Sequence, residues 1–122
     1  FIDAEIAQVE AAARIGAKVC GIHTGPYAHV FHGAGRDAES PAVLAEIDKI
    51  RQAGAAIRQL GLRFNAGHAL NYYNVQPIAC LPGVRELHIG HSIVSRSVFT
   101  GLREAVREMK RLMREAAERG AR

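Results

Sequence analysis

Phe64-Asn65-Ala66-Gly67-His68-Ala69-Leu70 and Leu87-His88-Ile89-Gly90-His91-Ser92-Ile93 are two copies of one pattern within the stretch Arg63 to Arg96. In each copy a short apolar run suited to a strand ends in Gly-His, where glycine lets the backbone turn and lets a ligand approach its N–H groups. One such pair alone reads as a strand terminator followed by a solvated histidine. Its repetition at matching strand ends points instead to an anion pocket built from two neighbouring loops.

Outward from this stretch, strand and helix alternate. Phe1-Ile2-Asp3-Ala4 reads as the end of a strand with Asp3 capping a first helix, whose stripe is Ile6, Val9, Ala13 and Ile15 and whose left-handed end is Gly16. Val19 to Ile22 is a second strand, running into the turn-forming His23-Thr24-Gly25-Pro26-Tyr27. Ala28 to Ser40 is expected to be a long loop and a functional lid. Ser40-Pro41 starts the next helix, with Leu44, Ile47, Ile50, Ile57 and Leu60 as its buried stripe and Gly61 as its end. Arg63 to Ala66 is the third strand, Val75 to Leu81 a short helix stopped by Pro82-Gly83, and Glu86 to Ile89 the fourth strand. A short apolar segment, Ser92 to Phe99, precedes Gly101 and a long helix with Leu102, Val106, Met109 and Met113 at core spacing.

Strict alternation implies a parallel sheet, either doubly wound or part of a barrel. A barrel of eight β/α units is typically about 250 residues. With 122 residues and four units, the chain is expected to be half of a TIM-type (β/α)8 barrel with a short extra helix after the last strand. Residues 1–122 then form a single half-barrel domain, and a start at Phe1 inside a structural element suggests a fragment of a longer chain. Barrel enzymes carry their chemistry at the C-terminal strand ends, often with a phosphate held by the last two loops and a short helix N-terminus. Gly67-His68, Gly90-His91 and the segment from Ser92 occupy those places.

A hydrophobic content of 48% is that of a globular domain with a core. No apolar run approaches the roughly 20 residues of a membrane helix, and no segment resembles a signal peptide, so no membrane is expected and the location is read as cytoplasmic. Cys20 and Cys80 stand singly in apolar surroundings, as reduced buried thiols do. The net charge is +4, and basic residues gather in the last twenty positions, where Arg103, Arg107, Lys110, Arg111 and Arg114 alternate with Glu104, Glu108 and Glu115 as on a salt-bridged solvent face. Without an aromatic stacking pattern or a nucleic-acid motif, no nucleic-acid partner is expected. His29 with His32, or His88 with His91, has a spacing that could be mistaken for a ligand pair. Zinc usually needs three or four ligands, and on a strand residues three apart face opposite ways, so no metal is expected.

Ile22-His23-Thr24-Gly25-Pro26-Tyr27-Ala28, Asn65-Ala66-Gly67-His68, Ile89-Gly90-His91-Ser92-Ile93 and the tail Glu104 to Lys110 together resemble the C-terminal half of the pyridoxine 5′-phosphate synthase family, from Phe1 to about Glu118. The resemblance implies a cofactor-independent cytoplasmic barrel enzyme of vitamin B6 biosynthesis that assembles as octamers. Its reaction condenses 3-amino-2-oxopropyl phosphate with 1-deoxy-D-xylulose 5-phosphate to pyridoxine 5′-phosphate, phosphate and water. It implies that His68 is the proton donor and that Ala69, Gly90 and His91 hold the aminoketone phosphate. Ring closure with loss of water needs groups that exchange protons near neutral pH, which suits histidine, and phosphate needs close backbone N–H donors. His23, on the strand face of Val19 and Gly21, reads as either site wall or structural hydrogen bonder.

The sequence departs from the family pattern at two positions. Gly21 stands where the family carries a glutamate thought to stabilise the transition state, and Ala69 stands where the family has the second glycine of Gly-His-Gly. The half of the barrel bearing the other catalytic groups is absent, so the chain alone is expected to be inactive. Three readings stay open: one half of such a synthase, a phosphate-binding half-barrel without turnover, and a structural half-barrel. Each pairs with a second copy or a complementary half, because open sheet edges invite another strand.

Overall fold

The structure is a computed structural model that describes residues 1–121. Its order is α1 (Ile6–Arg14), β1 (Val19–His23), α2 (Gly25–Gly33), α3 (Pro41–Gln59), β2 (Arg63–Gly67), α4 (Val75–Ala79), β3 (Val84–His88), α5 (His91–Thr100) and α6 (Leu102–Gly120). The three strands form one parallel sheet in the order β1-β2-β3. The fold is therefore α/β with a three-stranded parallel sheet and six helices among the described residues.

The strand expected at Phe1 to Ala4 is reduced to a single parallel bridge between Ile2 and Ile22, in which Ile2 N–H donates to Gly21 and His23 N–H donates to Ile2. Pairing stops there because Asp3 turns away, its N–H donating to Gln8 Oε1 at 2.8 Å. Asp3 is not the cap residue. The helix begins after Glu5, and the Asp3 carboxylate accepts from the Gln8 side chain instead.

Strand alternation divides the sheet. Cys20 and Ile22 on β1 and Phe64 and Ala66 on β2 point into one core with Val9 of α1, Tyr27 and Phe31 of α2, Val43, Ile47, Ile50 and Ile57 of α3, and Ile78 of α4. Complete burial of such a side chain contributes about 1.5–3 kcal/mol, and this shared cluster places α1 to α4 on one face. The other face carries Val19, Gly21 and His23, then Arg63, Asn65 and Gly67, then Glu86 and His88. It is open, with Val19, Arg63, Glu86 and His88 exposed. A register shift between Phe64 and Asn65 opposite Arg85 lets Val84 and Leu87, three apart, both meet the core side.

Several expected stripes shift. In α3 the buried positions start at Val43, and Leu44 and Leu60 are exposed, because the helix turns the row Val43-Ile47-Ile50-Gly54-Ile57 to the sheet. In α1 Val9 and Ala12 are buried while Ile6 and Ile15 are exposed. In α6 the small residues Ala105 and Ala116 join Met109 in the packed row, leaving Leu102 and Val106 outside. The first part of the expected lid, Ala28 to Gly33, is helix. Tyr27, Ala28 and Phe31 give α2 a buried stripe, and the rest of the expected lid, Ala34 to Ser40, remains irregular.

Cys20 is buried and Cys80 half-buried, both free. The solvent face of α6 carries the expected pairs Glu104–Arg107 at 3.0 Å and Arg111–Glu115 at 2.8 Å. Among the described residues no helix is long and apolar enough to cross a membrane.

Candidate functional site

The C-terminal ends of β1, β2 and β3 open onto one cavity of about 610 Å³, lined by His23, His68, Ala69, Gly90 and His91, with Phe1 at its rim. All four positions singled out in the sequence, His68, Ala69, Gly90 and His91, meet there. Parallel pairing causes this, since His23, Gly67 and His88 stand side by side in register and each following residue leaves the sheet at the same level.

The loop after β2 is over-determined. His68 and Ala69 both adopt positive φ, 91° and 58°, a region that non-glycine residues enter at an energetic cost. The fully buried Thr24 pins the first, its N–H donating to Gly67 O at 2.8 Å and its hydroxyl to His68 O at 2.7 Å. Asn74 pins the second, its Nδ2 donating to Ala69 O at 3.1 Å. Asn74 is itself fixed by the Tyr27 hydroxyl, which donates to Asn74 O at 2.7 Å. Burial, followed by the neighbouring Cys80 thiol, pushes the Tyr27 phenol well above its ordinary value, so it remains a donor. The His68 ring stacks on His23 at 4.5 Å and 23°. His23 Nδ1 accepts from Gly25 N–H at 3.3 Å, which puts the proton of a neutral ring on Nε2. His23 is thus both a wall of the cavity and a structural hydrogen bonder.

The loop after β3 works differently. Gly90 is the N-cap residue of α5, at φ −130°, and no side chain caps the helix. The first-turn N–H groups and the positive end of the helix dipole form an anion-attracting end at the cavity wall. Ser92 ties this end to the other loop, its hydroxyl donating to Leu70 O at 2.8 Å. The middle of α5 is held by Arg96, whose guanidinium lies 3.9 Å over the Tyr72 ring and 3.5 Å from Glu108 of α6. The turn at Gly90 brings His88 and His91 to the same cavity although they are three residues apart.

One row below, Gly21, Asn65 and Glu86 are partners across the open face. A Cβ on Gly21 would lie 3.2 Å from the Phe1 ring, so that ring covers the row's β1 end. Asn65 Nδ2 donates to Glu86 Oε2 at 3.3 Å and stands 3.2 Å from His88 Nε2. Asn65, Thr24 and Asn74 were not singled out in the sequence, where a lone polar residue in a strand or turn carries no periodic signal. His29 and His32 lie beside a neighbouring cavity on α2, and His32 Nε2 meets Asn71 Nδ2 at 3.0 Å. Among the described residues no group of three metal-binding side chains is assembled.

A family model described as "Pyridoxal phosphate biosynthesis protein PdxJ" matches residues 1–115. The chain is 83% identical over 117 residues to a pyridoxine 5′-phosphate synthase of Azoarcus sp. (strain BH72), covering 96% of this chain and 47% of that protein. It is 79% identical over 120 residues to one of Dechloromonas aromatica (strain RCB), covering 98% and 48%. A synthase of the same name from Gloeothece citriformis (strain PCC 7424) is 49% identical over 114 residues, covering 93% and 45%. The chain spans about half the length of the curated relatives it matches.

Proposed function

The chain belongs to the PdxJ family of pyridoxal phosphate biosynthesis proteins, and from that premise we propose that it supplies one half of the active site of a pyridoxine 5′-phosphate synthase. The observation that carries this is the meeting of both Gly-His strand ends at one cavity, with the uncapped start of α5 in its wall. In this reading the phosphate of 3-amino-2-oxopropyl phosphate sits against the backbone N–H groups of Ala69 and Gly90 and the His91 side chain. His68, exposed at the cavity and steadied by His23, gives the proton during condensation with 1-deoxy-D-xylulose 5-phosphate. The chain needs no cofactor for these roles.

The whole enzyme is proposed as a (β/α)8 barrel in the cytoplasm, of which this chain is the C-terminal half. Its sheet is covered on one face and open on the other, and it has unpaired edges beside Ile2 and along β3. A complementary half, or a second copy related by a two-fold axis, would pair the edges and fill the interior.

Titration of the isotope-labelled chain with inorganic phosphate is expected to move the amides of Gly67 to Ala69 and Gly90 to Ser92. Gly90→Pro, which removes one donor, should weaken binding more than His29→Ala. Loop amides that stay still while others shift would reject the site. The purified chain alone is expected not to form product, because catalytic groups that act as a unit fail together when most are missing.

A second reading, phosphate binding without turnover, is favoured by Gly21. That position offers no carboxylate, and the Phe1 ring lies over it. Binding of the aminoketone phosphate without product even after a complementary half is added would select this reading.

A further inference from the structure

We infer that His32 of α2 is a positioning residue for the anion pocket: its neutral ring holds the loop after β2 through Asn71 and Asn74, and a proton on that ring releases the hold. The inference rests on the phosphate reading above and adds to it a pH-dependent control of the loop.

The amide of Asn71 can point only one way. Its Oδ1 accepts from the backbone N–H groups of Tyr73 at 2.9 Å and Asn74 at 3.1 Å. Its Nδ2 is therefore the atom that meets His32 Nε2 at 3.0 Å, and because an amide nitrogen only donates, that ring nitrogen accepts. The neutral His32 ring then carries its proton on Nδ1. Asn74 is set in the same way, since its Oδ1 accepts from Asn71 N–H at 2.7 Å, which turns its Nδ2 to the Ala69 carbonyl at 3.1 Å. A chain of oriented bonds thus runs from α2 to the left-handed Ala69, beside the phosphate seat.

Helix α2 holds this loop at two points. The buried Tyr27 hydroxyl donates to Asn74 O at 2.7 Å, and burial keeps that phenol protonated, so this point is indifferent to pH. His32 is the exposed point, and histidine is the side chain that ordinarily changes charge between about pH 5 and 8. An imidazolium has an N–H on both nitrogens, so a protonated His32 cannot accept from Asn71. Nor can Asn71 turn its oxygen to the ring without giving up both backbone donors. Around His32 stand His29 and Phe31 of α2, His68 on the loop itself, and Arg36 over the Tyr73 ring. Among the described residues no carboxylate lines the cavity shared by His29, His32 and His68, so the proton finds no anionic partner there in place of the lost bond.

The test follows the isotope-labelled chain, His32→Gln and His32→Leu by NMR from about pH 8 to about pH 5. His32 is exposed, so both variants keep the fold. Glutamine offers an acceptor that does not titrate, and leucine offers none. The Asn71 and Asn74 side-chain amides are expected to move with the His32 ring signal in the unaltered chain and to stay at their high-pH positions in His32→Gln. In His32→Leu they should sit at the low-pH positions throughout. Sulfate probes the pocket because its charge is constant over this range, and about 0.15 M salt screens the exposed His32 charge. At high pH the unaltered chain and His32→Gln should bind sulfate equally and His32→Leu about threefold more weakly, the scale of one exposed hydrogen bond. At low pH the unaltered chain should fall about threefold below His32→Gln. Side-chain amides that ignore the His32 signal, or that move as much in His32→Gln, would overturn the inference. Equal sulfate binding by all three proteins would also overturn it and leave the phosphate loops standing. If none of them binds sulfate at either pH, the phosphate reading falls and the inference with it.

Discussion

The two Gly-His loops share a sequence pattern and a cavity but use opposite physical devices. After β2 the backbone passes through two left-handed residues, His68 and Ala69, held by side-chain bonds from Thr24 and Asn74 and by a stacked ring. After β3 it passes straight into a ten-residue helix that no side chain caps. The first loop fixes the direction of a side chain; the second leaves backbone donors free. A loop of the first kind suits proton transfer, where geometry must be held, and one of the second kind suits an anion, which many amides can share.

The largest expected effect separates the two glycines. A Cβ at Gly67 would lie 2.8 Å from the His88 carbonyl oxygen and 2.9 Å from His88 Cβ, so the strands themselves would have to part. A Cβ at Gly90 would meet nothing within 4 Å. Gly67→Ala should therefore lower stability by about 2–3 kcal/mol, and Gly90→Ala by no more than about 0.5 kcal/mol. Urea unfolding of both variants checks this, and equal losses would mean that the loops do not differ in packing.

The place of both loops was legible before the structure, but not the contrast between them. The repeated Gly-His pattern located both loops, and all four residues marked from it line one cavity because parallel register brings matching strand ends together. What sequence could not show was the means of support. Thr24 reads as a turn residue, and only the meeting of β1 with β2 makes it a clamp, across 44 positions to His68; Asn74 reads as a loop residue, and its bond to Ala69 lies within the loop after β2. The helix α2 was hidden by Gly25, Gly33 and two histidines, although Tyr27 and Phe31 at helical spacing carried its signal. Stripes in α1 and α3 were displaced because long apolar residues at their margins, such as Ile15 and Leu44, outweighed the small Ala12 and Ala53 that sit in the core. The first strand shrank to one bridge through a bond from Asp3 to Gln8 that no periodicity encodes.

A smaller effect probes the clamp. Thr24→Val keeps the shape of a fully buried side chain and removes the hydroxyl that donates to His68 O at 2.7 Å. Loss of this part-buried hydrogen bond should lower stability by about 0.5–1.5 kcal/mol. It should also broaden the His68 ring resonances while those of His91 stay sharp. Unchanged His68 signals would show that the stack on His23 holds the ring without Thr24.

The smallest effect differs in sign between the loop after β2 and the helix α5 and tests the strain directly. Ala69 is held at φ 58°, where a Cβ crowds the following carbonyl, and the cost for an L-residue is about 1–2 kcal/mol. Ala69→Gly relieves that crowding but gives the unfolded chain more freedom, which takes back about 0.5–1 kcal/mol. The net expectation is a gain of up to about 1 kcal/mol. In the helix that follows the other loop, the exposed Ser95 of α5 has ordinary helical backbone, and Ser95→Gly should lose about 0.5 kcal/mol. The same replacement residue thus stabilises the loop after β2 and destabilises α5, a result that side-chain contacts alone would not give. If Ala69→Gly is less stable than the unaltered chain, the left-handed backbone after β2 is relaxed rather than strained, and the bonds from Thr24 and Asn74 decorate that loop without restraining it.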